Sequence, residues 1–309
     1  MTLLFYTHPV ALLHDAGPGH PEAPVRLQAV LRAVEAAAIP GLERREAPLA
    51  SLHQVQRVHP ERYTSRMLAA VPRSGYVRVD ADTVLSPHSG EAALRASGAA
   101  CAAVDAVVAG EGKRAFCAMR PPGHHAEAME AMGFCVFNHV AVGAMQARAA
   151  HKLSRLAILD FDVHHGNGTQ STFFDDPDTL YVSTHQWPLY PGTGHPSERG
   201  VKRNIVNCAL PPGTSGASWR RVVESHVLPT IDRWRPELIL VSAGFDAHAA
   251  DPLASMALLE DDYAWVTREL CRLAEIHAGG RVVSVLEGGY DPMALARSVV
   301  AHLSALAGN

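Results

Sequence analysis

Four strand-sized apolar runs in this chain break off abruptly into residues that bind metals or move protons. Ala115–Met119 leads into Arg120-Pro121-Pro122-Gly123-His124-His125, and Leu156–Leu159 into Asp160, Asp162, His164 and His165. Leu238–Ser242 leads into Ala243-Gly244-Phe245-Asp246, and Arg281–Leu286 into Glu287-Gly288-Gly289-Tyr290. Short apolar runs that stop at turn signals read as buried parallel strands. Open parallel sheets bind ligands outside the carboxyl ends of their strands. A fold that aligns these four runs therefore brings all of the reactive side chains to one edge.

The remainder alternates to match. Leu3–Tyr6, Thr179–Thr184 and Asn204–Leu210 read as further strands. Pro24–Ala38, Pro60–Ala70, Ser89–Ala109, Asn138–His151, Ser218–Trp234, Asp261–His277 and Pro292–Leu306 read as helices, stopped by signals such as Pro40-Gly41 and Gly110. No linker, composition break or repeat divides the chain, so residues 1–309 are expected to form a single three-layer α/β domain. Its core is a mostly parallel sheet with helices on both faces. A 48% hydrophobic and 19% charged composition fits such a buried core. The net charge of −4 gives no general attraction to nucleic acid or an anionic membrane. Five scattered cysteines without a C-x-x-C pair point to a reducing compartment. The MTLLFYTHPV start has neither a basic n-region nor the length of a membrane span. A cytoplasmic enzyme is expected, and its 18 histidines hint at metal or acid–base chemistry.

In an extended chain, Asp160, Asp162 and His164 would share one face. Carboxylates beside an imidazole suit a divalent cation such as zinc, which at catalytic sites takes three protein ligands. Asp246 is the candidate third ligand; a turn-capping aspartate is its other reading. His248 could compete, although a surface loop histidine is the plainer role for it. His124-His125, presented by a Pro-Pro-Gly turn, could take a proton from metal-bound water or could be two partly exposed loop histidines. Tyr290 could donate to a developing oxyanion or could pack as the first residue of a helix.

Taken in order, R-P-P-G-H-H (120–125), G-F-C-x-F-N (133–138), D-x-D-x-H-H-G-N-G (160–168), Y-P-G-T-G (190–194), S-A-G-F-D-x-x-x-x-D-P-L (242–253) and L-E-G-G-Y (286–290) resemble the zinc-dependent histone deacetylase family. The resemblance runs from His20-Pro21-Glu22 to the last helix. It is class II-like, of the bacterial type called histone deacetylase-like amidohydrolases, because Asn167 stands where class I members carry a carboxylate.

The resemblance implies an arginase/deacetylase fold around an eight-stranded parallel sheet. It implies one Zn²⁺ held by Asp162, His164 and Asp246, with His125 as general base, His124 beside it and Tyr290 as oxyanion donor. Asp160 would serve His124 and Asn167 would serve His125, leaving His125 the less basic of the two. Phe134 and Tyr190 would wall an acyl-lysine tunnel, with Gly133, Gly288 and Leu253 at the substrate. Tyr190 departs from the family's usual Phe. A structural K⁺ would use Asp160 and Ser183, Arg26 would line an acetate channel, and Asp251 would be structural. The rim carboxylates Asp15, Asp80 and Asp82 could hold a substrate backbone or cation.

The substrate implied is an acyl-lysine protein or peptide, or a small acylated amine. One acetylpolyamine-specific branch carries Glu where Leu253 sits. An arginase-like ureohydrolase with two manganese ions would need carboxylates where His165 and Asn167 stand. A catalytically silent binding protein is the remaining alternative. Oligomeric state is left open.

Overall fold

The computed structural model describes residues 2–308. Eight strands form one parallel sheet: β1 (Leu3–Thr7), β2 (Leu42–Glu46), β3 (Arg114–Cys117), β4 (Leu156–Asp160), β5 (Thr179–Gln186), β6 (Ile205–Leu210), β7 (Leu238–Ala243) and β8 (Val282–Leu286). Their spatial order is β2-β1-β3-β8-β7-β4-β5-β6. The four strands with reactive exits, β3, β8, β7 and β4, are thus neighbours at the centre. Each is buried throughout, as a strand covered on both faces must be. Register fixes the level of their ends, pairing Asp160 with Ser242 and Ser183, and Leu286 with Ala243.

Helices cover both faces. Pro24–Ala37, Glu260–His277 and Pro292–Ala307 pack together, and Ser89–Ala109 packs on His139–His151. Ser89–Ala109 is long and apolar enough to cross a bilayer, but 67% of its apolar window is buried against the rest of the protein. Its Ala and Gly side chains allow the close approach of a core helix: a Cβ on Gly98 would meet the Pro48 carbonyl at 2.0 Å.

The residue pattern finds seven of the eight strands. It passes over β2, whose Leu-Glu-Arg-Arg-Glu sequence carries no apolar alternation. As an edge strand it needs only one hydrogen-bonded neighbour, and exposed charge protects its free side. The expected helix Ser218–Trp234 starts at Gly216, capped by the Ser215 hydroxyl, and contains a π turn over Val223–Val227. Pro229 has no amide to continue the i→i−4 ladder, and the helix widens just ahead of it. A short helix, Asn167–Phe173, follows the central motif where only a turn is expected. A two-stranded hairpin pairs Val77–Arg78 with Val84–Leu85 beside the site.

Candidate active site

Asp162, His164 and Asp246 meet beyond β4 and β7, each at most 8% exposed. One ligand atom from each lies within 4.8 Å of the others. His164 Nδ1 stands 3.1 Å from Asp162 Oδ1 and 3.0 Å from Asp246 Oδ2. Backbone amides fix the carboxylates: Gly288 N donates to Asp162 Oδ2 (2.9 Å) and Val163 N to Asp246 Oδ1 (2.8 Å). Glycine is required around them. A Cβ on Gly244 would lie 1.9 Å from Asp162 Oδ2, and one on Gly288 2.1 Å from Asp246 Oδ2.

The electrostatics of the trio favour positive charge between the two carboxylates. Burial and the charge of Asp162 push the Asp246 carboxyl up to about 7. Burial opposes charge on His164, yet the two carboxylates raise it to about 10. Asp162 stays low because His124 and His164 outweigh its burial. Two buried carboxylates and an imidazole therefore hold positive charge between them, and this donor set fits a divalent metal. His248 is not among them. It is buried rather than on a surface loop, with Nδ1 accepting from Ala250 N (3.0 Å) and Nε2 3.5 Å from Glu260 Oε1.

Asp160 does not share the trio's space, contrary to the simple extended-chain reading. The strand ends at Asp160, and the turn after it re-aims Asp162. Asp160 Oδ2 instead meets His124 Nδ1 at 3.0 Å and accepts from the Tyr181 hydroxyl at 3.0 Å. His125 Nδ1 meets Asn167 Oδ1 at 2.9 Å. Burial disfavours charge on both histidines, but Asp160 and Asp162 outweigh it at His124 and raise its pKa. At His125, burial is reinforced by His124 and His164, and the pKa falls well below the ordinary value.

His125, His164 and Tyr290 line one cavity of about 250 Å³ with Gly133, Phe134, Leu189, Tyr190, Leu253 and Asp82. Tyr190 lies edge-on to His125 (5.2 Å between ring centroids), and Phe134 edge-on to Tyr290 (5.8 Å). Phe134 has a left-handed φ of 67°, a conformation that a non-glycine residue keeps only where its surroundings enforce it. Gly133 N and Phe134 N donate to Asp82 Oδ1 (3.0 Å) and Thr83 Oγ1 (3.1 Å). Of the three rim carboxylates, Asp82 lines the cavity; Asp15 and Asp80 do not. Asp251 is structural, accepting from Leu253 N (3.0 Å) and Tyr290 N (2.6 Å). Ser183 is the register partner of Asp160, and its hydroxyl meets His185 Nδ1 at 2.8 Å.

Behind the cavity, the Arg26 guanidinium lies 4.8 Å from the Tyr290 ring centroid. It donates to Gly289 O (2.6 Å), Glu287 O (2.6 Å) and Glu22 Oε1 (2.9 Å). Glu22 also pairs with Arg120. Glu287 is a buried site neighbour to which the sequence reading gives no role. Its Oε2 accepts from Gly123 N (2.6 Å) and His124 N (3.1 Å), so the strand that leads to Tyr290 also holds the tandem histidines. Glu287 and Tyr181 stand in or near the motifs, but their partners lie far off in sequence.

Comparison with known proteins agrees with this geometry. The histone deacetylase domain family matches residues 20–306. The chain is 40% identical to a probable deacetylase of Archaeoglobus fulgidus over 290 residues, covering 92% of this chain and 80% of that protein. It is 38% identical to a histone deacetylase-like amidohydrolase of Pseudomonas aeruginosa over 309 residues, covering 93% and 81%. The crystal structure of the HDA15 HD domain superposes with a TM-score of 0.93 at 31% identity, covering all of this chain and 88% of that one. By fold, by motif and by sequence, the chain belongs to the histone deacetylase family.

Proposed function

We propose that this protein hydrolyses the side-chain amide of acyl-lysine in proteins or peptides, with acetyl as the acyl group that fits. The observation that carries the reading is one 250 Å³ cavity lined at once by His164 of the carboxylate trio, His125 and Tyr290. A zinc ion held by Asp162, His164 and Asp246 would polarise the amide carbonyl and make a water molecule acidic enough to attack at neutral pH.

The chain's own residues do the rest. His125, held neutral by its surroundings, takes a proton from the attacking water at Nε2, because Nδ1 is engaged by Asn167. Tyr290 keeps its phenol protonated, since burial raises its pKa more than Arg26 lowers it, and donates to the carbonyl oxygen as negative charge develops there. The imidazole pair returns a proton to the leaving amine. Phe134 and Tyr190 hold the lysine methylenes, and Gly133 and Gly288 keep the floor open. Leu253 contributes apolar surface at the mouth, and Arg26 offers a cationic path for the released carboxylate. Asp160 and Ser183, with nearby carbonyls, are the proposed K⁺ site, which would steady β4 and β5.

A second reading, hydrolysis of acetylpolyamines, is favoured by one observation: the Asp82 carboxylate in the cavity could pair with a cationic amine. Kinetics on acetyl-lysine peptides, acetylpolyamines and longer acyl-lysines decide between them. The zinc-loaded enzyme should be fastest on acetyl-lysine, and a hydroxamate should abolish that activity. A polyamine preference that is lost in Asp82→Asn would establish the second reading. Two manganese ions per chain in place of one zinc would return the ureohydrolase.

A further inference from the structure

Although the chain carries a net charge of −4, residues 199–235 hold seven Lys/Arg against two Asp/Glu. Four of these cations, Arg199, Lys202, Arg203 and Arg233, line a cavity of about 540 Å³ between β6, the loop before it and the helix ending at Trp234. No carboxylate lines this cavity, and among the described residues none of the four forms a salt bridge. Like charges gathered without partners repel, and a bound anion relieves that.

The floor is built rather than incidental. Asn207 is 7% exposed; its Nδ2 donates to Gln170 Oε1 (2.7 Å), while its buried Oδ1 has no partner. Trp234 Nε1, in the same lining, is a buried donor without an acceptor. The cationic loop is also tied down. Fully buried Asn204 donates through Nδ2 to the carbonyls of Phe173 (2.8 Å), Asp176 (3.0 Å) and Thr179 (3.1 Å), and its Oδ1 accepts from Lys202 N (3.2 Å).

We propose that this cavity is a second ligand site, taking a phosphorylated polyol. Its phosphates would meet the four cations and Trp234 Nε1, and a hydroxyl would donate to Asn207 Oδ1. Inorganic phosphate can meet that acceptor only by turning a P–OH away from the cations, whereas a polyol supplies hydroxyls beyond its phosphates, and an unmet buried group is costly. The volume falls in the range of small-molecule sites. The site reaches the tunnel through hydrogen bonds. Gln170 Oε1, which accepts from Asn207, also accepts from His165 Nε2 (3.0 Å), and His165 Nδ1 meets the Thr193 hydroxyl (2.8 Å) on the Tyr190 loop. Only this link to turnover rests on the reaction proposed above; the binding does not.

Calorimetry on the zinc-loaded full chain tests it, with fructose 1,6-bisphosphate as probe at about 0.15 M salt. Binding should be at least about tenfold tighter than for inorganic phosphate, and about tenfold weaker in Arg199→Gln/Arg233→Gln. It should persist in Asp246→Ala, which separates it from binding at the metal. The bisphosphate should change KM for an acetyl-lysine peptide in the native protein and not in the double variant. Equal binding in the double variant, loss in Asp246→Ala, or tighter binding of an oligoglutamate peptide would overturn the assignment. Binding without any change in KM would overturn the link to the tunnel.

Discussion

At the scale of single residues, the proposed chemistry is divided between groups that would touch the substrate and groups that set their protonation. Tyr290→Phe removes the proposed oxyanion donor without touching the carboxylate trio. Zinc content should be unchanged while kcat falls by roughly 10²–10³; unaltered turnover would remove the phenol from the reaction. Asn167 is a subtler case. Its neutral oxygen faces His125, and its Nδ2 donates to Glu127 Oε1 (2.8 Å), so an aspartate there would oppose Glu127. The informative variant is therefore Asn167→Asp combined with Glu127→Gln. A carboxylate partner stabilises imidazolium, so the acidic limb of kcat/KM should move to higher pH. A limb that stays in place would show that His125 does not carry it.

At the scale of elements, strands deliver the side chains and the turns after them aim the groups. Gly244→Ala puts a methyl group where Asp162 Oδ2 stands, at 1.9 Å. Zinc should be lost and stability lowered by about 1–3 kcal/mol, the usual result of overpacking; metal analysis and a urea midpoint check both. Full zinc occupancy would mean that the turn after β7 yields more than its packing suggests. This is also the scale at which the sequence is most and least readable. β3, β4, β7 and β8 were legible because a doubly covered strand must be apolar throughout, and their exits carry residue types that such a strand excludes. β2 was not, since an edge strand takes its place from a neighbour and not from its own pattern. Likewise Asp160 could not be separated from Asp162 by spacing, because the separation depends on where the strand stops. His248 reads as a surface residue because its loop is exposed at Ala249 and Ala250, yet its own ring is buried.

At the scale of the whole molecule, the protein buries many histidines as neutral groups. Burial lowers His59 and His185 to about 4, and His139 and His302 to about 3. Unfolded, each titrates near 6.5. Between those values the unfolded chain binds more protons than the folded one, so stability rises with pH there and is lost as pH falls below about 6.5. Each group contributes up to ~1.4 kcal/mol per pH unit in that window. The urea midpoint should fall steeply as pH is lowered from about 6.5 to 5. The fall should be shallower in His302→Gln, whose ring sits between Thr267 and Ser284 hydroxyls. A midpoint independent of pH would mean that these rings gain protons without unfolding.

Glu287 gives the architecture a mechanical consequence. One carboxylate fastens the histidine turn to the segment that ends in the phenol, so the proposed proton acceptor and proton donor are carried on a common rigid mount. In the proposed reaction, adjustment to different acylated amines would be left to the side that bears Tyr190, Leu253 and Asp82. Swapping loops on that side should retune selectivity while the reaction itself continues unaltered.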